Sequence, residues 1–293
     1  MPADLTSTRS ARVTEFRHLH DRRHRAERGA FVVEGPQAVR EALAHGVLEL
    51  YLTESAAWRY PEFVEEARGS RARVSLATEE VLAAMSETRQ SQGVIAVSPL
   101  VTRPLAAVTA AARAGSGLVV VLDAVSDPGN AGTILRTADA MGADAVIFTE
   151  GSVDPHNGKC VRATAGSIFH VSVVADATVD ETIAACRDSG LALVTADAHA
   201  HRSLDAAAAL LRQPVAWIFG SEAHGVREEW RAAVSDAVRI PMAGRAESLN
   251  LAAAAAICLY ATERARADGR DQGPADADAD ADAGAGAADP LGE

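Results

Sequence analysis

The chain has 293 residues, 48% of them apolar, and a formal net charge of −12. Its length fits one large or two modest domains. It contains neither the apolar run of about 18 residues that a transmembrane helix needs nor a secretory hydrophobic segment. The three cysteines are scattered and form no CxxC or Cys/His cluster, which predicts a cytoplasmic protein without a metal site.

The negative charge is unevenly distributed. Residues 268–293 contain eight acidic residues and one arginine, and this low-complexity segment without aromatics predicts a disordered acidic tail. Residues 9–28 contain seven arginines and only three acidic residues, with Val13, Phe16 and Leu19 at helical spacing. The sequence therefore predicts a basic amphipathic arm at the opposite end of the chain.

Helix and strand patterns alternate over residues 1–98 and predict a small α/β sandwich domain. The predicted strands are 31–35, 48–52, 73–76 and 94–97, and the predicted helices are 36–45, 61–68 and 79–85. Pro36 suits the first turn of its helix, and Thr78 suits an N-cap. Residues 99–117, which contain two prolines and two glycines around an Ala-rich turn or short helix, are the predicted linker.

A second alternation over residues 118–267 predicts another α/β domain. Its predicted strands are 118–123, 145–148, 170–174, 191–197, 215–220 and 238–240, and its predicted helices are 133–142, 179–188, 226–235 and 249–266. A long irregular loop is expected between 149 and about 162. Several strands are continuous apolar runs, which is typical of a mostly parallel sheet covered by helices on both faces.

Three loops that follow these strands carry polar residues, and ligands bind at the carboxyl ends of strands in open parallel sheets. The loops contain the sequences DPGNAGTILR (127–136), GSEAHGV (220–226) and IPMAGRAESLN (240–250). The first lacks the GK[ST] of a Walker phosphate loop, and the second lacks the GxSxG of a hydrolase elbow. Taken singly, Arg136 can be a solvated helix residue, Glu222 a carboxylate at a helix start, and Ser248 an N-cap.

In this order, DPGNAGTILRTADAMGA, IFGSEAHGV and IPMAGRAESLNLAAA resemble the three signature motifs of the SpoU/TrmH family of RNA ribose 2′-O-methyltransferases, within the SPOUT superfamily. The resemblance covers residues 118–265. The segments HDRRHRAERGAFVVEGPQAVREAL and SETRQSQGVIAV are similar to the L30e-like substrate-binding domain that precedes the catalytic domain in some members. Two positions depart from the family pattern. NGK at 157–159 replaces NPK and is expected to loosen that loop, and Ala252 stands where a serine is common.

The resemblance implies a SPOUT-type α/β fold with a trefoil knot, a homodimer, S-adenosylmethionine as methyl donor and no metal. It assigns donor binding to the backbone around Gly220, Ile240 and Leu249. It assigns the functional polar positions to Arg136, Asn130, Glu222, Ser248 and Asn250. Helix 249–266 is rich in small residues and carries Leu251, Ala255, Cys258 and Thr262 on one side, and this face suits either a dimer contact or an intramolecular core.

Roles for the polar positions follow from the chemistry of methylating a ribose hydroxyl. Arg136 is expected to bind the nucleotide phosphate and to stabilise the developing oxyanion. Asn130 is expected to position Arg136 or the ribose, and Glu222 to hold Arg136 or the substrate. Ser248 and Asn250 are expected to bind donor and nucleotide together. Because a guanidinium keeps its proton in proteins, a phosphate or a water is the better base.

RNA affinity must come from local basic surface, because the net charge opposes it. The predicted RNA-binding residues lie on the arm and beside the active site, and are Arg12, Arg17, Arg22, Arg23, Arg25, Lys159 and Arg162. The alternative for the arm is a solvated helix face. The L30e-like extension favours 23S rRNA as the substrate. The alternatives are a tRNA ribose methyltransferase and a non-catalytic RNA-binding or ribosome-assembly factor.

Overall fold

The computed structural model describes residues 3–114 and 116–271, so most of the predicted acidic tail lies outside the described residues. The strands of the first domain are β1 (Ala30–Glu34), β2 (Glu49–Leu52), β3 (Arg73–Leu76) and β4 (Val94–Pro99). They form a mixed sheet in the order β1-β4-β2-β3, in which β2 and β3 are parallel and the other pairs antiparallel. The helices are α1 (Ala11–His18), α2 (Arg22–Arg28), α3 (Pro36–His45), α4 (Glu54–Arg59), α5 (Pro61–Gly69) and α6 (Glu79–Met85).

Helices cover both faces of this sheet, which confirms the predicted α/β sandwich. Phe31 and Val33 of β1 point into the core formed with α3 and α5, whereas Val32 points into the core formed with α1 and α6. Pro36 is the first residue of α3, and Thr78 Oγ1 accepts the backbone N–H of Val81 as the cap of α6. The short helix α4 was not predicted.

The basic arm is part of the first domain rather than a detachable helix. It folds into α1 and α2, and Val13, Phe16 and Leu19 are at most 2% exposed. Full burial of side chains of this size contributes about 1.5–3 kcal/mol each. Deletion of the arm is therefore expected to unfold the domain, and its role in RNA binding has to be tested by point substitutions.

The second domain is built on a seven-stranded sheet. Its strands are β5 (Leu118–Asp123), β6 (Ala145–Thr149), β7 (Ser172–Ala177), β8 (Ala192–Ala196), β9 (Arg202–Ser203), β10 (Val215–Gly220) and β11 (Asp236–Arg239). Their order is β7-β6-β5-β10-β8-β11-β9, and all neighbouring pairs are parallel. The predicted parallel α/β architecture is confirmed, whereas the trefoil knot stays a prediction.

Helices pack on both faces of the second sheet as well. They are α7 (Leu105–Ala114), α8 (Pro128–Ala140), α9 (Gly158–Thr164), α10 (Val179–Asp188), α11 (Ala208–Leu211), α12 (Glu228–Ala233) and α13 (Leu251–Asp271). In α13, Ala255, Cys258 and Thr262 are fully buried within the chain, and Trp217 Nε1 donates to Thr262 Oγ1 at 2.9 Å. The small-residue face of this helix is therefore an intramolecular core and not a dimer contact. Within the described residues, no helix combines the length and the apolar character that crossing a membrane requires.

The Ala-rich stretch of the predicted linker forms the helix α7, one of its two expected forms, and Val108 of α7 is fully buried in the core of the second domain. Two other segments differ from their predictions. Helix α8 begins at Pro128 rather than at residue 133, because Asp127 caps it. The predicted irregular loop contains α9, which Asn157 caps by accepting the N–H of Lys159. The NGK segment forms a capped helix start, and its expected loosening relative to NPK stays a prediction.

A buried ion pair joins the two domains. Arg25 in α2 is 4% exposed, and its Nε and Nη2 donate to Asp154 Oδ2 at 3.0 and 2.6 Å. Burial by itself raises the pKa of Asp154, but hydrogen bonds from His156 and Arg25 outweigh that effect and hold the pKa below its usual range. Loss of one partner from such a pair costs about 3–5 kcal/mol. Arg25 therefore helps to fix the orientation of the domains, together with the pairs Arg22–Asp176 and Arg162–Glu34 across the same boundary.

Candidate functional site

A cavity of about 400 Å³ lies at the carboxyl ends of β8 and β10, beside the loop after β11 and the start of α13. The three predicted donor-binding residues, Gly220, Ile240 and Leu249, all line it. Met242 adds to its apolar wall, and its polar side chains include those of Glu222, Ser248 and Asn250. A cavity of this size with a mainly apolar wall and a few polar groups is typical of a small-molecule site.

The chain forms a closed turn over residues 220–226, from the last residue of β10 toward α12. Gly225 N–H donates to the Ser221 carbonyl at 2.8 Å, and φ of Gly225 is +68°, a region that favours glycine. A Cβ on Gly220 would lie 2.1–2.2 Å from backbone atoms of Gly225 and Val226. Gly220 is therefore required for the turn to close against the end of β10, and its backbone also lines the cavity.

A chain of hydrogen bonds joins one side chain from each of the three motifs. Asn130 Nδ2 donates to Glu222 Oε1 at 2.6 Å, and Asn250 Nδ2 donates to Asn130 Oδ1 at 3.1 Å. Asn130 lies in the first turn of α8, and Asn250 directly precedes α13. The structure thus brings together three of the predicted polar residues, and it pairs Glu222 with Asn130 rather than with Arg136.

Asn250, and not Ser248, caps α13. Its Oδ1 accepts the backbone N–H groups of Ala252 and Ala253 at 2.9 and 3.3 Å, which satisfies donors that a helix start leaves free. The N-cap interpretation of Ser248 is therefore wrong. Ser248 is exposed and lines the cavity, where its hydroxyl can contact a ligand.

Asp127 supports this site, although sequence reasoning did not single it out. Its Oδ1 accepts the N–H of Asn130 at 2.7 Å, and its Oδ2 accepts from Lys159 Nζ at 2.9 Å. The hydrogen bond from Lys159, followed by the one from Asn130, lowers the pKa of Asp127. An Asp directly before a Pro at the first helical position was the available signal. Lys159, predicted to bind RNA, is committed to this ion pair within the chain.

Arg136 lies apart from the hydrogen-bonded chain. Its side chain is exposed on α8 and forms no hydrogen bond or ion pair with any residue in the described part of the chain. Asn130 and Arg136 are six residues apart, which corresponds to about 240° around a helix axis. The two side chains therefore project from different faces of α8, and a single chain does not place Arg136 against Glu222.

Two arginines of the arm are packed within the protein, one against the sheet of the first domain and one at the boundary between the domains. Arg12 is half-buried, lies 5.3 Å from the centre of the Tyr51 ring and donates to Ser75 Oγ. Arg25 is buried against Asp154, as described above. The prediction that Arg25 contacts RNA is corrected, because its donors are already taken by protein oxygens.

The other predicted RNA-binding arginines remain at the surface. Arg17 is exposed and has no partner among the described residues, and Arg23 is exposed beside Glu27. Arg22 pairs with Asp176 of the second domain at 2.6 Å. Arg162 pairs with two carboxylates of the first domain and is the least exposed of these four. Arg17 and Arg23 are thus the most accessible of the set.

Neither thiol nor metal chemistry is suggested by the described residues. Burial raises the pKa of the Cys160, Cys186 and Cys258 thiols to about 12, so that none is a nucleophile near neutral pH. No group of three or more His, Cys, Asp or Glu side chains in this part of the chain is arranged to hold a metal ion.

Family models match both domains. Residues 117–260 match the SpoU rRNA Methylase family, and residues 10–96 match the MRM3-like substrate binding domain. The chain is 32% identical over 261 residues to the 23S rRNA (guanosine(2553)-2′-O)-methyltransferase RlmP of Bacillus subtilis, covering 87% of this chain and 97% of that protein. It is 33% identical over 242 residues to the 23S rRNA (guanosine-2′-O-)-methyltransferase RlmB of Bordetella pertussis, covering 80% and 97%.

Solved structures agree with these matches. The AdoMet-bound rRNA methyltransferase from Sinorhizobium meliloti superimposes with a TM-score of 0.78 at 29% identity, covering 89% of this chain and 97% of that one. The SpoU methyltransferase AviRb from Streptomyces viridochromogenes, in complex with the cofactor AdoMet, gives the same TM-score and identity and covers 88% and 100%. These findings confirm the resemblance predicted from the three motifs, and the chain belongs to the SpoU family of RNA methyltransferases.

Proposed function

We propose that this protein transfers a methyl group from S-adenosylmethionine to the 2′-oxygen of a ribose in 23S rRNA. The observation that carries the proposal is the Glu222–Asn130–Asn250 chain of hydrogen bonds at the edge of the glycine-walled cavity. It places a carboxylate and two amides beside a small-molecule site. Side chains in this position can hold a nucleotide next to a bound methyl donor, as transfer between the two requires.

The cavity fits the methyl donor. Gly220 contributes only backbone to the lining, and Ile240, Met242 and Leu249 provide an apolar wall for a planar ring. Ser248 supplies a hydroxyl for the polar part of the donor. When bound there, S-adenosylmethionine supplies a methyl group on a sulfonium centre.

Different polar side chains bind different groups of the nucleotide. Glu222 Oε1 is occupied by Asn130, which leaves Oε2 to accept a hydrogen bond from the ribose hydroxyl. Such a contact orients the reacting oxygen, while a phosphate or a water takes its proton as the new bond forms. Arg136 binds the adjacent phosphate and stabilises the developing oxyanion, and it stays protonated throughout.

Ribosomal RNA is the proposed substrate class because the chain covers nearly the full length of two relatives named for 23S rRNA, including their first domains. This substrate places the proposed activity in the cytoplasm, where bacterial ribosomes assemble. The choice of 23S rRNA over tRNA rests on this full-length similarity.

Methyl transfer to ribosomal RNA is the direct test. Purified protein with labelled S-adenosylmethionine, and without added metal, is expected to methylate 23S rRNA taken from cells that lack this gene, and 2′-O-methyl mapping should then identify one nucleotide. Calorimetry should detect S-adenosylmethionine binding by the same sample. A folded protein that binds neither the donor nor its demethylated product would contradict the proposal, and label that enters only tRNA would redirect it to tRNA.

We also propose that the active unit is a homodimer in which Arg136 of each protomer serves the other protomer's site. Support comes from the exposed Arg136, which projects away from Asn130 on α8, and from the exposed apolar side chains of Ile257 and Tyr260 on α13. Light scattering is expected to give twice the chain mass of 30.5 kDa at micromolar concentration. The substitution Tyr260→Arg should shift the population toward monomer, and a wild-type monomer would exclude the arrangement.

Arg17 and Arg23 are the proposed phosphate contacts of the first domain. The substitution Arg17→Ala is expected to weaken RNA binding and to lower the slope of log affinity against log salt by roughly one, because each phosphate contact releases about one counterion. Arg68→Ala is the matched control, since Arg68 is equally an exposed arginine but lies on α5, across the sheet from α1. Filter binding across a salt series measures both slopes. Equal slopes for the two variants would leave RNA binding to the second domain.

A further inference from the structure

A fully buried carboxylate lies at the carboxyl end of β5, and it contacts neither the proposed donor cavity nor the proposed reacting groups. Asp123 is 0% exposed. A carboxylate removed from water in this way is stable only if it is paired and hydrogen-bonded. Its partner is Arg227, whose Nε and Nη2 each lie 2.6 Å from Asp123 Oδ1, while the backbone N–H of Arg227 donates to Asp123 Oδ2 at 2.8 Å.

Both ends of the 220–226 turn are attached to Asp123. Where the turn begins, Gly220 of β10 is the direct neighbour of Asp123 in the parallel ladder with β5. Where the turn ends, Arg227 follows Val226 and binds the Asp123 carboxylate through both side chain and backbone. A third strand joins the same point, because Arg227 Nη2 also donates to Thr149 Oγ1 of β6 at 2.8 Å.

The backbone directly after Asp123 has an unusual conformation, which indicates that the end of β5 is held firmly. Ala124 has φ of +52°, in the left-handed region that residues with a Cβ rarely adopt, and its N–H donates to Thr149 Oγ1. Such a conformation persists only where the surroundings enforce it. The end of β5 is therefore fixed by the same threonine hydroxyl that binds Arg227.

The 220–226 turn contributes both to the wall of the donor cavity and to the polar side chains of the site. Gly220, Ser221, Gly225 and Val226 line the cavity, and Glu222 accepts the hydrogen bond from Asn130. We propose that Asp123 and Arg227 are positioning residues, which act through the 220–226 turn to hold the donor cavity and Glu222 in their reactive arrangement. This inference rests on the proposed function.

The alternative is an ion pair that contributes stability alone. That alternative predicts a lower melting temperature and a smaller active fraction in variants, with the Kd for S-adenosylmethionine unchanged. A positioning role predicts instead that the Kd and KM for S-adenosylmethionine rise in folded protein while the Kd for RNA stays constant. The two roles are therefore separated by donor affinity measured on the folded fraction.

The test compares two variants of the full chain by calorimetry with S-adenosylmethionine, filter binding with rRNA and thermal unfolding. The double variant Asp123→Asn/Arg227→Met removes both charges, which is less disruptive than leaving one buried charge unpaired. Arg227→Lys keeps the charge and the backbone hydrogen bond but loses the forked contact. Because small misplacements in a site can cost up to about 100-fold, we expect the donor Kd to rise about tenfold or more in the double variant and less in Arg227→Lys.

A second, more exposed ion pair of the same sheet supplies a control for loss of an ion pair away from the turn. Arg202 of β9 and Asp236 of β11 pair at 2.8 Å without touching the 220–226 turn, and Arg202→Met/Asp236→Asn should leave the donor Kd within twofold of wild type. An unchanged donor Kd in Arg227→Lys and in a folded double variant would overturn the inference while leaving the proposed function intact. If the double variant does not fold, Arg227→Lys decides alone. Failure of wild-type protein to bind the donor would instead contradict the proposed function.

Discussion

Replacing Arg136 by alanine is expected to reduce methyl transfer about 100–1000-fold, the usual cost of losing one preorganised donor that stabilises developing negative charge. The fold and donor binding should survive. The Arg136 side chain is exposed, forms no hydrogen bond or ion pair with any described residue, and does not line the donor cavity. Single-turnover methylation with saturating donor and RNA measures the loss, and calorimetry measures the donor affinity.

The conservative variant of this residue makes the test sharper. Arg136→Lys keeps the charge but loses the planar fork that matches a phosphate, so it should recover little of the lost rate. Arg68→Ala removes an equally exposed arginine from the first domain and should leave the rate on saturating RNA unchanged. Near-normal turnover by Arg136→Ala would show that Arg136 takes no part in the reaction. Orientation of the nucleotide would then depend on Glu222, Asn130 and Asn250.

The elements of both domains could be predicted because their apolar residues repeat at strand and helix periods. The buried runs at 118–123 and 215–220 became adjacent parallel strands, and Pro36 and Thr78 marked helix starts as their chemistry implies. Helix α9 escaped prediction because its seven residues, GKCVRAT, contain too few turns to show a period. Its start depends on a single side-chain cap from Asn157.

Three members of the candidate site could be predicted, but neither Asp127 nor the pairings between the side chains could. Motif order singled out Asn130, Glu222 and Asn250, and the structure joins them in one chain of hydrogen bonds. The sequence did not reveal that Asn250 both caps α13 and contacts Asn130, because that depends on how two helix starts meet. Burial of Arg25 escaped prediction for the same reason, since its partner Asp154 is 129 residues away and in the other domain.

The second large effect is expected at Gly220. A Cβ added there would lie 2.1–2.2 Å from backbone atoms of Gly225 and Val226, far inside contact distance, so the 220–226 turn has to move in Gly220→Ala. Overpacking of this kind costs about 1–3 kcal/mol, and if the cost falls on the donor-bound form, the Kd for S-adenosylmethionine rises about 5–150-fold. Calorimetry on the folded variant measures the change.

Gly244→Ala separates this effect from glycine replacement in general. Gly244 lies in the loop that carries Ile240 and Leu249, its φ is not positive, and a Cβ there would meet nothing within 4 Å. This control should bind the donor as the wild type does. A Gly220→Ala variant that also keeps wild-type donor affinity would show that the turn yields without disturbing the cavity. In that case the bare backbone at Gly220 serves the packing of β10 against the turn, and donor binding depends on the apolar wall formed by Ile240, Met242 and Leu249.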